Sequence, residues 1–208
     1  MASVTVAISG ASGAIYGLTL IAELLKRGDD VILIISPSGF LLLKAEVGLD
    51  LADSTPKEIV STILSYAEKA LEERPKGTLK YFPSDDLTAL VASGSALKKL
   101  MVVVPCSMGT LARIAVGAST NLIERAADCI LKEGGELVLV PRETPLSPIH
   151  LENMLKLARI GVKILPAMPA FYMQPKTIGD MVNFVVGKTL DALGIENSLY
   201  KRWDGEVE

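Results

Sequence analysis

The chain has 208 residues, enough for one domain, and its net charge of −3 argues against a nucleic-acid partner, because such partners require a basic face. Half of the residues are hydrophobic and 5% are aromatic, so we expect an aliphatic core and further apolar surface that is covered between subunits. No apolar run reaches the roughly 20 residues that cross a bilayer, and two isolated cysteines with one histidine indicate a cytoplasmic protein without a metal site.

The first predicted unit is a strand, a glycine-containing turn and a helix. Residues 4–8 are typical of a buried strand, and residues 18–27 form a helix that ends at Gly28. The turn over residues 9–17 directs free backbone N–H groups and the helix dipole to one spot, which predicts a phosphate site. Ser12 lies within this turn, where its hydroxyl contacts a ligand or caps the helix. The alternative is a tight turn whose glycines serve only packing.

This turn lacks the features of a dinucleotide-binding site. Its glycines stand at positions 10, 13 and 17, which is not the G-x-G-x-x-G spacing. The second predicted strand, residues 31–35, ends in Ser36-Pro37-Ser38 instead of the acid that holds the ribose of NAD. The sequence therefore favours a mononucleotide that carries a phosphate.

The next segment places a carboxylate near the same edge of the predicted sheet. Residues 39–47 are predicted to be helical, and Glu46 lies just beyond the carboxyl end of a strand, where α/β sheets gather ligands. Spacing alone favours a solvated surface role for Glu46. Residues 50–76 are predicted to be mainly helical and residues 79–83 a short strand, and residues 92–95 are predicted to form a loop or a second binding edge.

A second strand and hydroxyl-rich turn repeat the opening design. The strand over residues 100–105 is followed by a turn at 106–110, then by a helix from Leu111 that continues to Lys132. If the two turns lie on neighbouring strands, their amides and hydroxyls line one crevice. The alternative for Ser107 and Thr110 is ordinary helix capping.

Charged and aromatic residues follow the last two predicted strands. Arg142 and Glu143 stand between prolines at the end of the strand over 137–140, which indicates site chemistry, whereas His150 opens a helix and is interpreted as structural. After the strand over 162–166, prolines around Tyr172 predict a fixed lid or pocket wall. A helix over 178–193 and a tail follow, in which Trp203 either anchors on a neighbouring subunit or covers a ligand. Because strands alternate with helices, we predict one α/β domain over residues 1–208, a doubly wound parallel sheet.

Six motifs taken together resemble the flavin prenyltransferases of the UbiX/Pad type. The resemblance runs nearly end to end and is weakest over residues 50–90. Each motif alone is modestly specific, but six in the same order are strongly so. They are GASGA at 10–14, PCSMGT at 105–110, NLIERAAD at 121–128, LVPRETP at 139–145, IHLENML at 149–155 and PAFYMQP at 169–175.

The resemblance implies a flavodoxin-like, Rossmann-like fold, a homo-oligomer that is typically a dodecamer, and non-covalently bound FMN. It implies transfer of a dimethylallyl group from dimethylallyl phosphate to N5 and C6 of reduced FMN. The product, prenylated FMN, is delivered to UbiD-type decarboxylases. Two alternatives are an FMN-dependent cysteine decarboxylase, a family that relies on a histidine in its first helical region, and a non-catalytic flavin carrier.

The resemblance also implies three sets of site residues. The FMN-binding set is Gly10, Ala11, Ser12, Ser36, Ser107, Met108, Gly109, Thr110 and Arg142. The set that binds the allylic phosphate is Arg125, Lys132, Arg142, Tyr172 and Lys188, and the catalytic set is Ser12, Glu46 and Glu143. Lys188 departs from the arginine that is usual in the family, so it keeps the charge but loses the bidentate fork.

The residue types in these sets suit the chemistry. Clustered cations and a phenol stabilise a departing phosphate, and carboxylates accept the protons released as bonds form. We therefore expect Glu143 and Ser12 to form a relay near N5 and the phosphate, with Glu46 serving the C6 step. An aliphatic pocket keeps water away from the allylic cation, and the chemistry requires no metal.

Overall fold

A six-stranded, all-parallel sheet forms the centre of the computed structural model, which describes residues 2–92 and 100–203. The strands run in the spatial order β3-β2-β1-β4-β5-β6, which confirms the predicted doubly wound sheet. Their bounds are β1 Ser3–Ile8, β2 Asp30–Ile35, β3 Leu79–Pro83, β4 Leu100–Cys106, β5 Glu136–Pro141 and β6 Lys163–Ile164.

Helices cover both faces of the sheet because its strands carry apolar side chains on both sides. Val4, Val6 and Ile8 of β1 pack with α1, α2, α3 and α7, whereas Ala7 packs with α4, α5 and α6. The helices are α1 Ala14–Arg27, α2 Pro37–Val47, α3 Pro56–Leu71, α4 Met108–Ala115, α5 Leu122–Lys132, α6 Pro148–Arg159 and α7 Ile178–Ala192. The core is aliphatic, as the composition predicts.

The order of the strands reverses at β1, which pairs with β2 on one side and with β4 on the other. In open α/β sheets ligands bind at the carboxyl ends of the strands next to this switch point. The turns that follow β2, β1, β4 and β5 therefore lie side by side at one edge of the sheet.

Two predicted elements differ from the structure. The helix predicted to run from Leu111 to Lys132 is two helices, α4 and α5, because Gly117 adopts a positive φ of 70° and Asn121 caps a new helix start. The strand predicted over 162–166 is shorter, Lys163–Ile164, although the backbone N–H groups of Leu165 and Ala167 still donate to the carbonyl oxygens of Leu139 and Pro141 on β5, at 2.8 and 3.0 Å.

The remaining boundaries follow from local signals. In the polar stretch over 50–76, the helical part is α3, which begins at a capping box formed by Thr55 and Glu58. Of the predicted loop at 92–95, residues 93–95 lie outside the described residues, as do the last five residues of the tail. Among the helices of the described ranges, none combines the length and the apolar character needed to cross a membrane.

Candidate active site

The buried hydroxyl of Ser9 joins the two turns at the switch point. Its Oγ donates to the carbonyl oxygen of Pro105 at 3.0 Å and accepts from the backbone N–H of Ser107 at 2.8 Å. Ser9 is fully buried, so these bonds lie in a low dielectric and are protected from water. The turn after β1 and the turn after β4 are thereby held in fixed register.

The start of α1 is capped by a side chain from another helix. Gly13, and not Ser12, is the N-cap residue, with a φ of 109° that favours glycine. The Oε2 atom of Glu46 accepts from the backbone N–H groups of Gly13 at 2.9 Å and Ala14 at 2.8 Å. Glu46 is thus an exposed residue with a defined position, and its carboxylate lies where the sequence predicts a phosphate.

The two other helix starts at this edge carry serine caps. Ser36 accepts from the N–H of Gly39 at 3.0 Å at the start of α2. Ser107 accepts from the N–H of Thr110 at 3.2 Å at the start of α4, and its hydroxyl also donates to the Thr110 hydroxyl at 3.0 Å. Both the capping alternative and a ligand role remain compatible with these positions, because the first N–H groups of each helix still point to the same edge.

Arg142 presents an unsatisfied donor next to a cavity. Its Nε atom is buried and has no hydrogen-bond partner in the described part of the chain, which is rare for a charged donor. The neighbouring cavity has a volume of about 460 Å³ and is bordered mainly by apolar residues, among them Leu146, Met154 and Met168. Glu143 also borders this cavity and accepts from the N–H of Thr144 at 3.0 Å.

Tyr16 connects Arg142 with Glu46 electrostatically. Burial raises the pKa of the Tyr16 phenol, the charge of Arg142 opposes that rise and the charge of Glu46 adds to it. Both charged groups therefore lie close enough to Tyr16 to act on it. Sequence reasoning missed Ser9 and Tyr16 as site residues, although both stand in or beside the first glycine turn.

Tyr172 and Lys188 lie in an aromatic cluster on the α1 side of the sheet. The Tyr172 ring packs edge-on against Phe184 of α7 and against Trp203, with centroids 6.0 and 5.6 Å apart. The Nζ atom of Lys188 lies 5.1 Å from the ring centre of Tyr200 and 5.8 Å from that of Phe184. Tyr172 and Lys188, the two predicted phosphate ligands, thus share Phe184 as a neighbour. The tail over 195–203 packs on α7 of its own chain.

Arg125 and Lys132 lie away from Tyr172 and Lys188 within one chain. Both lie on α5, which packs on the opposite face of the sheet, and Arg125 pairs with Asp128 at 3.2 Å. Lys132 ends α5 just before the amino end of β5, whereas Arg142 follows its carboxyl end. Five residue steps of about 3.3 Å separate the ends of β5 by roughly 17 Å, beyond the reach of a lysine side chain.

His150 has a local structural role. Its Nδ1 accepts from the N–H of Ser147 at 3.2 Å, and the Ser147 hydroxyl accepts from the N–H of His150 at 3.2 Å, so the two form the capping box of α6. Within the described ranges, no three His, Cys, Asp or Glu side chains come together as a metal site would require.

The donor set at this edge fits FMN. A flavin phosphate requires N–H donors and a cation, which the starts of α2 and α4 and Arg142 can supply, whereas Glu46 already accepts from the start of α1. The orphaned Nε of Arg142 requires an acceptor. The apolar border of the cavity suits a flavin ring or a hydrocarbon group.

Comparisons with known proteins identify the family of this chain. Residues 1–190 match the Flavoprotein family model. The chain is 49% identical over 202 residues to the flavin prenyltransferase UbiX of Halalkalibacterium halodurans, which covers 97% of this chain and 93% of that protein. It is 45% identical over 200 residues to the enzyme of the same name from Pseudomonas aeruginosa, which covers 96% of this chain and 93% of that protein.

Solved structures are similar over the whole fold. The crystal structure of AnUbiX (PadA1) in complex with FMN and dimethylallyl pyrophosphate superposes with a TM-score of 0.84 at 36% identity, covering 99% of each chain. A dodecameric FMN-dependent UbiX-like decarboxylase from Escherichia coli O157:H7 has a TM-score of 0.81 at 37% identity, covering 98% of this chain and 100% of that one. A PPC decarboxylase mutant, at 18% identity and a TM-score of 0.54, shares the fold alone. The chain therefore belongs to the flavin prenyltransferase family of the UbiX type.

Proposed function

We propose that this chain joins the dimethylallyl group of dimethylallyl phosphate to N5 and C6 of reduced FMN, as one flavoprotein domain over residues 1–208. The observation that carries this proposal is the buried Nε of Arg142, which has no partner among the described residues and lies beside an apolar cavity bordered by residues that follow β5 and β6. A guanidinium with a buried, unbonded Nε next to an apolar space suits a ligand that combines a phosphate with a hydrocarbon or a ring.

The FMN-binding role goes to the turns at the switch point. In this proposal Gly10, Ala11 and Ser12 contact the flavin from the turn after β1. The start of α2 supplies Ser36, and the start of α4 supplies the run from Ser107 to Thr110. Arg142 provides the cation for phosphate, and when bound FMN supplies the nucleophilic N5 and C6 atoms.

The departing phosphate requires positive charge and a hydroxyl donor. Breaking the allylic C–O bond transfers the electron pair to the phosphate oxygen, and Arg142, Lys188 and the Tyr172 phenol stabilise that charge. The apolar border of the cavity excludes water from the prenyl carbon, which then bonds to N5.

The carboxylates of Glu46 and Glu143 are proposed to accept and transfer the protons of the reaction. Closing the second bond at C6 uses the prenyl double bond: the neighbouring prenyl carbon takes up one proton and C6 releases one, which Glu46 is proposed to accept. Glu143 with Ser12 is proposed to relay the proton between N5 and the departing phosphate. Glu46 suits a precise role because two backbone N–H groups fix its Oε2 atom.

A neighbouring subunit is proposed to supply Arg125 and Lys132. Lys132 cannot reach Arg142 within its own chain, and Arg125 lies on the face of the sheet opposite Tyr172 and Lys188, yet the family resemblance assigns both to the phosphate site. Three large apolar side chains of α6 are more than half exposed, namely Ile149, Leu151 and Leu155, and such a face favours contact with another copy. We propose a dodecamer, with the tail beyond residue 195 also contacting a neighbour.

The product is proposed to pass to a UbiD-type decarboxylase, and the reaction to take place in the cytoplasm. The two free cysteines, Cys106 and Cys129, are buried and fit a reducing compartment.

One experiment tests the function. Protein, reduced FMN and dimethylallyl phosphate are mixed without oxygen, and the released flavin is weighed by mass spectrometry, with dimethylallyl diphosphate as a second donor. We expect a gain of one five-carbon unit. An unchanged flavin mass with tight FMN binding indicates the flavin carrier instead, and loss of carbon dioxide from a phosphopantothenoylcysteine substrate indicates the cysteine decarboxylase.

A further inference from the structure

The guanidinium of Arg113 binds the first turn of α4 with one nitrogen and a different helix with another. Its Nη2 donates to the Thr110 hydroxyl at 3.4 Å, and its Nη1 lies 3.4 Å from the point where a Cβ on Gly109 would stand. Its Nε donates to the carboxylate of Glu124 on α5. Arg113 thus connects α5 to a turn that the proposed function assigns to FMN.

Glu124 is a fixed anchor for this arginine. Its side chain is fully buried, and its oxygens accept from the Thr120 N–H at 2.8 Å, the Thr120 hydroxyl at 2.5 Å and the Asn121 amide at 2.9 Å. Burial opposes the charge of Glu124, but these bonds and Arg113 outweigh burial and lower its pKa. A buried carboxylate with this many donors has one position only.

The same chain of contacts continues to the switch point. The hydroxyl of Thr110 accepts from that of Ser107, and the N–H of Ser107 donates to Ser9, which is bonded to Pro105. Five polar side chains therefore form one route from α5 to the ends of β1 and β4. They are Glu124, Arg113, Thr110, Ser107 and Ser9.

We infer that Arg113 and Glu124 are positioning residues that hold the turn at 107–110 in the geometry that binds FMN. The inference rests on the proposed function of that turn. A purely structural ion pair needs only the contact between the two charges, whereas Arg113 uses a separate nitrogen for the turn. The planar fork of arginine makes this possible, and a lysine, with one nitrogen, cannot reach both partners.

Arg113→Lys is the deciding variant because it keeps the charge opposite Glu124 and removes the fork. We expect the dissociation constant for FMN to rise roughly 3- to 10-fold, the range of one lost hydrogen bond, with an altered visible spectrum of the bound flavin and a nearly unchanged unfolding midpoint. Glu124→Gln is expected to weaken FMN binding at least as much. If Glu124→Gln does not fold, Arg113→Lys alone decides.

Arg27→Lys is the matched control. Arg27 is also a partly exposed arginine paired with a buried carboxylate, that of Asp29 at 3.2 Å, but it lies at the opposite edge of the sheet. It is expected to leave FMN affinity unchanged. Wild-type affinity and spectrum in Arg113→Lys, or an equal loss of affinity in Arg27→Lys, overturns the inference while the proposed function stands. A wild-type protein that binds no FMN overturns both.

Discussion

Glu46→Gln separates two roles that the structure places on one side chain. The carboxylate caps α1 through Gly13 and Ala14, and the proposed reaction uses it as a proton acceptor. Glutamine has nearly the same shape and keeps one acceptor oxygen, but it lacks the negative charge and does not accept a proton at neutral pH. The substitution therefore removes the chemical role and largely preserves the structural one.

The two roles differ in magnitude. One oxygen, Oε2, accepts both backbone bonds, at 2.9 and 2.8 Å, and the amide oxygen of glutamine can take its place. The structural loss is then the interaction of the charge with the helix dipole, about 0.3–1 kcal/mol. Loss of a general base costs about 10²–10⁴ in rate, or roughly 3–5 kcal/mol in the activation barrier.

Three measurements separate the chemical role of Glu46 from its structural role. Anaerobic turnover with saturating reduced FMN gives kcat, a flavin titration gives the dissociation constant for FMN, and urea unfolding gives stability. We expect kcat to fall at least 100-fold, the dissociation constant to stay within about twofold, and the free energy of unfolding to fall by no more than about 1 kcal/mol.

Glu58→Gln is the matched control, because Glu58 caps α3 by accepting from the N–H of Thr55 at 2.7 Å. It should show a similar small loss of stability with unchanged kcat. A wild-type kcat in Glu46→Gln refutes the proton-acceptor role and leaves Glu46 as a helix cap. Wild-type turnover in both Glu46→Gln and Glu143→Gln refutes the assignment of the carboxylates as a whole.

Three other substitutions test the substrate site and the fold. Lys188→Arg should lower KM for dimethylallyl phosphate a few-fold, because the guanidinium binds phosphate through two nitrogens. An unchanged KM in both Lys188→Arg and Lys188→Ala contradicts the role of Lys188 in phosphate binding. Leu157→Ala should cost about 2–5 kcal/mol in urea unfolding, since Leu157 is fully buried and its removal leaves a cavity; a loss below about 1 kcal/mol contradicts that packing. Burial opposes the charge of Asp191, but hydrogen bonds from Arg202 and Tyr200 outweigh burial and lower its pKa below the usual 3.8. The stabilisation that the charged Asp191 provides should be complete above pH 3.8 and disappear as the pH falls through the lowered pKa. The difference in unfolding free energy between wild type and Asp191→Asn should therefore shrink over that fall in pH. A difference that stays constant contradicts this role of Asp191.

Local sequence signals account for most of the fold. Gly28 ends α1, the Thr55–Glu58 pair starts α3, and the strands alternate with helices as the pattern indicates. The sequence prediction runs one helix through residues 116–121 because the residues on both sides are good helix formers, but the positive φ of Gly117 ends α4 and Asn121 caps α5.

The site was predictable where it depends on strand ends and not where it depends on tertiary contacts. Glu46 was correctly placed near the sheet edge, but its bond to Gly13 joins residues 33 positions apart and depends on how α2 lies across α1. The contact of Arg113 with Glu124 depends on the angle between two helices, which no local spacing encodes.

The position of Lys132 at the far end of β5 has a consequence for mixed assemblies. If each pocket draws its cations from two copies, a copy without Lys132 and a copy without Glu143 are each inactive alone but complement each other when co-assembled. Pockets that combine the intact half of each copy regain prenyl transfer, in proportion to how often the two copies meet as neighbours. Under the same condition, very dilute protein should lose specific activity, since an isolated copy would hold only part of its pocket.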